Sequence, residues 1–135
     1  MTEWQKEIGA ITLFVEDLDR SKAFYQDVFG LPALNEDPDG VMFRFENTLV
    51  FLTKSAAAPR LIGPAHVGSP EAGPRSLMAI IVHDVDAVCA ELDKKGVALL
   101  NGPADRAWGM RTATFIDPGG HVWEIAQELP RPQNS

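Results

Sequence analysis

Cysteine is nearly absent. Cys89 is alone among 135 residues, so no internal disulfide can form and nothing demands an oxidising compartment. A run of about 18 apolar residues is also missing, which argues against a transmembrane helix. Positive charge is scarce: 12 Lys and Arg stand against 19 Asp and Glu, for a net charge of −7 and a pI near 4.8. That balance disfavours nucleic acid or an anionic membrane as partner and leans toward a cationic ligand. Met1 to Lys6 lack the basic-then-apolar plan of a secretion signal, so a cytoplasmic location is expected. Only three histidines occur, and no Ser-His-Asp or Cys-His arrangement accompanies them.

What is present is globular. Hydrophobic residues make up 45% and charged residues 23%, enough for a chain of this length to bury roughly two-thirds of its unfolded surface without staples. The stretch 7–15 (EIGAITLFV) reads as a buried strand, and Asp17 is placed to cap a helix beginning near Asp19. Leu18, Tyr25, Val28 and Phe29 share one face of that helix, and Gly30 and Pro32 end it. Strands are expected at about 32–36, 41–46 and 48–54, with turns at Asp39-Gly40 and Glu46-Asn47. Residues 55–74 hold four prolines and three glycines and read as a connector that lies over a pocket or moves.

The second half repeats the order. A strand at 76–82, a helix capped by Asp84 and stopped by Gly96, and strands at about 97–101, 109–116 and 121–127 follow. Val15-Glu16-Asp17-Leu18-Asp19 is matched 67 residues later by Val82-His83-Asp84-Val85-Asp86, each at a strand-to-helix junction. The expected architecture is therefore α+β, with two βαβββ modules in tandem at about 7–54 and 76–127. A sheet with one helix covers only one face, so the two open faces are expected to curl around a shared cavity. The tail from Leu129 should fray.

The run V-x-D-L-D-R-S-x-x-F-Y-x-D-V-x-G-L from Val15 to Leu31 resembles the first module of the vicinal oxygen chelate superfamily. The closing W-G-x-R…F-x-D-P-x-G-x-x-W-E from Trp108 to Glu124 resembles its last hairpin. That superfamily groups glyoxalase I, extradiol dioxygenases, fosfomycin-resistance enzymes and bleomycin-resistance proteins. The likeness implies the glyoxalase-like half-barrel pair and a homodimer. Its enzymes hold a divalent metal through four positions that correspond here to Ala10, Phe51, Leu77 and Glu124. Three of those side chains have no donor atom, so neither metal nor other cofactor is expected.

With the family register, Ala10, Thr12, Phe14, Phe51, Leu77 and Glu124 face the cavity. A buried carboxylate needs a partner, and Arg111 or Arg44 is the internal candidate for Glu124. Arg111 turns inward if the 117–120 hairpin has a two-residue loop, pairing 124 with 113, and outward if it has three, pairing 124 with 114. Trp108, just before Gly109, is expected at a cavity mouth; Trp123 alternates away from Glu124 toward the helix. His121 reads as a turn-flanking surface residue, His83 as exposed, and His66 as a loop residue within reach of a pocket. Cys89 lies on an apolar helix face and reads as inert.

The reading that follows is a metal-independent binder of a small organic molecule, cationic or amphipathic, resembling the bleomycin-resistance branch. Its ligand-binding candidates are Thr12, Phe14, Phe51, Trp108, Arg111 and Glu124. Two rivals stand beside it: a metal-dependent lyase or dioxygenase of the same superfamily, and a metal-free enzyme with Glu124 as catalytic acid or base.

Overall fold

A computed structural model describes residues 2–131; the end of the expected frayed tail, 132–135, lies outside the described residues. The chain divides between Ser69 and Pro70 into two compact units. In the first, β1 (Ala10–Val15), α1 (Leu18–Val28), β2 (Leu34–Asp37), β3 (Gly40–Arg44) and β4 (Leu49–Lys54) form one sheet in the order β1-β4-β3-β2. A short helix, α2 (Pro59–Ile62), follows within the same unit. In the second, β5 (Leu77–Ile81), α3 (Val85–Lys94), β6 (Leu99–Asp105), β7 (Met110–Ile116) and β8 (Val122–Glu128) form a sheet in the order β5-β8-β7-β6. In each sheet the first and last strands run parallel and the remaining pairs antiparallel. The fold is α+β, built from one βαβββ order used twice.

Local chemistry explains the repeat. Asp17 accepts the Arg20 N–H and Asp84 the Ala87 N–H, each at 3.1 Å, so both helices begin at a satisfied cap. Both then stop at a glycine with left-handed backbone, Gly30 (φ 68°) and Gly96 (φ 77°). α1 starts at Leu18, one residue ahead of expectation.

The helices take one face of each sheet. Leu18, Ser21 and Tyr25 are the buried residues of α1, while Val28 and Phe29 are part-buried. The fully buried Tyr25 ring lies 5.3 Å from that of Phe43 on β3 and 5.1 Å from that of Phe29. Leu13, Val15, Val41, Val50 and Leu52 fill the same layer. In the second unit Val85 and Leu92 of α3 are buried, as are Ala113, Phe115, Trp123 and Ile125 of the sheet. Trp123 is thus a core residue, as its alternation implies.

Three departures have physical causes. β1 begins at Ala10 rather than at 7, because Ala10 pairs with Leu49, the first residue of β4; Ile8 is exposed. β6 extends to Asp105 rather than 101 and shifts register twice. Gly102 (φ 85°) permits this, since a Cβ there would sit 2.5 Å from the Thr112 carbonyl oxygen. The connector is also not featureless: 3₁₀ turns at Ser55–Ala57 and Pro70–Ala72 flank α2, whose start is Pro59.

Candidate functional site

The helix-free face of the first sheet carries four of the expected residues. Register places Thr12 beside Phe51 and Phe14 beside Thr53, with Ala10 beside Leu49. Phe51 in turn sits beside Met42 and Thr53 beside Gly40, so rows run Thr12–Phe51–Met42–Leu34 and Phe14–Thr53–Gly40–Asp37 across the strands. Strand alternation sends all of these away from α1, because their neighbours Leu13, Val15, Val50 and Leu52 occupy the α1 side. The surface is mostly apolar, with two hydroxyls and the Asp37 carboxylate at its edge.

The helix-free face of the second sheet carries Leu77, Ala79 and Glu124, with Ala79 paired to Glu124. Glu124 is part-exposed and, among the described residues, forms no ion pair or side-chain hydrogen bond. Its other strand neighbour is Thr114, so the hairpin has the three-residue loop Pro118, Gly119 and Gly120. Asp117 explains the choice: its carboxylate accepts the N–H groups of Gly119 and His121, each at 3.0 Å, and the Trp123 indole N–H at 3.3 Å. Gly120 supplies the left-handed residue (φ 86°) that such a loop needs.

This register corrects the expectation for Arg111. It pairs with Gln127, whose side chain accepts the Val85 N–H at the start of α3, so Arg111 lies on the helix side. Its guanidinium binds Asp105 at 2.6 Å and Asp86 of α3 at 3.0 Å. Arg111 is therefore neither a partner for Glu124 nor a contact on the helix-free face. Its hydrogen bond, opposed by desolvation and aided by its charge, holds the Asp105 carboxyl below the usual aspartate range. Arg44, the other expected partner, is exposed on β3.

Trp108 is 71% exposed in the turn between β6 and β7. His66 lines a cleft of about 390 Å³ with Glu16 and Ser55. The Ser55 hydroxyl is buried and has no hydrogen-bond partner among the described residues. Sequence reasoning did not single out Ser55, since only the path of the connector encloses it. Burial, with Asp86 second, raises the Cys89 thiol, which keeps it protonated and suits an inert residue.

The four positions that hold a metal in the resembled enzymes do not fit one here. Ala10 and Phe51 lie on the first sheet, Leu77 and Glu124 on the second, and only the last has a donor atom. Among the described residues no three His, Cys, Asp or Glu side chains group closely enough to hold an ion.

Residues 7–125 match the model of the Glyoxalase/Bleomycin resistance protein/Dioxygenase superfamily, and this chain belongs to that family. It is 32% identical over 123 residues to the uncharacterized protein YraH of Bacillus subtilis (strain 168), covering 88% of this chain and 96% of that one. A solved glyoxalase/bleomycin resistance protein/dioxygenase from Nocardioides superposes with a TM-score of 0.85 at 22% identity, covering 99% of this chain and 92% of that one. Lactoylglutathione lyase from Agrobacterium tumefaciens gives a TM-score of 0.74 at 22% identity, covering 90% and 93%. At that identity the two structures speak for the fold alone. No helix among the described residues is long and apolar enough to cross a membrane.

Proposed function

We propose that this chain is a metal-independent small-molecule-binding protein, similar in role to the bleomycin-resistance-type members of its family. One observation carries the reading. Ala10, Phe51 and Leu77 stand where donor atoms would have to stand, and a lone carboxylate at Glu124 cannot hold a divalent ion against water. What supports ligand contact is the chemistry of each helix-free face taken by itself: on the second sheet Glu124 offers a charge with no ion pair among the described residues, and on the first Phe14 and Phe51 offer apolar area beside the Thr12 hydroxyl. Such a mixture suits an amphipathic organic molecule. Trp108, free of the core, serves as a further contact and as a fluorescent reporter. The proposal includes a cytoplasmic homodimer, which sedimentation of the purified protein would test.

The decisive measurement is elemental analysis of protein purified without chelator or added metal. Metal content far below one ion per chain is expected. A near-stoichiometric divalent ion, retained through gel filtration, would sink the reading and return the chain to the lyases and dioxygenases.

A further inference from the structure

The row Asp37–Gly40–Thr53–Phe14 on the first sheet contains a gap. Gly40 has no side chain, and a Cβ there would lie 3.0 Å from the Leu52 carbonyl oxygen and 3.5 Å from Thr53 Oγ1. Glycine keeps that place open. The connector then returns over it, because Ala57 and the α2 residues Arg60 and Leu61 line the same opening as Asp37, Phe51 and Thr53. The result is a cleft of about 570 Å³, within the range that takes a drug-sized molecule. Arg60 Nη2 donates to Asp39 Oδ2 at 2.5 Å, tying the tip of the β2–β3 hairpin to α2 and holding the wall in place.

Charge decides what fits. In the lining Asp37 and Asp39 stand against Arg60, and Arg60 is paired to Asp39. Asp37 accepts the Asp39 N–H at 2.7 Å, but among the described residues no cation neutralises it. The cleft therefore carries one surplus carboxylate. Beside it, Phe51 is part-buried and Leu61 is 65% exposed, so both offer apolar surface to the cleft.

We propose that this cleft binds an organic amine, its ammonium against Asp37 and its apolar body against Phe51 and Leu61. The inference rests on the metal-independent binding role and names the class of ligand. Because Asp37 is exposed, the preference for a cationic head is modest, about three- to tenfold, and the apolar body supplies most of the affinity.

Three probes with one body separate the terms: 4-phenylbutylamine, 4-phenylbutan-1-ol and 4-phenylbutyrate, titrated into the full chain at pH 7 and followed by NMR. The amine is expected to bind most tightly, with shifts concentrated at Gly40, Ala57 and Leu61. Asp37→Asn should remove the three- to tenfold preference over the alcohol. Equal binding of amine and alcohol, or a preference that survives Asp37→Asn, overturns the charge assignment. Shifts centred on Thr12 or Glu124 instead of Gly40 overturn the cleft but leave the binding role intact. No shift with any probe overturns the cleft as well, and only a stoichiometric ion in the purified protein would take the underlying role with it.

Discussion

Arg111 shows how one side chain's direction changes the chemistry of its neighbours. Tied to Asp105 and Asp86, it braces the end of the second sheet against α3 and leaves Glu124 on the other face with no counter-charge among the described residues. The pH consequence is specific. Asp105 has a folded pKa below its unfolded value, so its contribution to stability is present above about pH 4 and is lost as the pH falls through the folded value. Carbon-detected NMR should find the Asp105 carboxyl titrating below the other exposed aspartates and moving up toward them in Arg111→Gln. An unchanged midpoint in that variant would show that Arg111 is not the cause. Because Asp105 is exposed and screened, the overall stability change should be small.

At the scale of elements, the two caps and the two terminating glycines were legible, since Asp17, Asp84, Gly30 and Gly96 act through backbone rules that need no tertiary context. The faces of β1 and β4 were legible through the family resemblance, which set the register, with alternation settling the rest. The last hairpin was not. Asp117-Pro118-Gly119-Gly120 is compatible with either loop length, and the choice falls to the Asp117 carboxylate, whose partners Gly119, His121 and Trp123 meet it only once the strands pair. The cleft was invisible for a similar reason: Gly40 reads as an ordinary turn glycine until α2 is placed beside it. Asp117 is 4% exposed, and replacing it leaves buried donors without an acceptor. Asp117→Ala is expected to lower unfolding stability by about 2–4 kcal/mol, with an unchanged urea slope. A loss under about 0.5 kcal/mol would mean that Pro118 and the glycines shape the loop alone.

For the molecule as a whole, family membership and chemistry point in different directions. The family includes enzymes named for reactions, whereas the donor set of this chain is depleted at three positions out of four. An ion that binds only the folded chain stabilises it by mass action, so without one dialysis against EDTA should leave the melting midpoint within about 1 °C. A fall of several degrees, reversed by one added divalent metal, would contradict that. The net charge of −7 fits a preference for cationic ligands without requiring it, since the same surplus also keeps a protein dispersed.

The three residues 118–120 also act as a parity lock. They hold β8 at one place along β7: a slide of one residue would exchange its two sides, carrying Glu124 toward the core and Trp123 into solvent, whereas a slide of two would restore both. A variant that moves the turn by one place along the chain should therefore unfold the second sheet, and one that moves it by two should keep both faces.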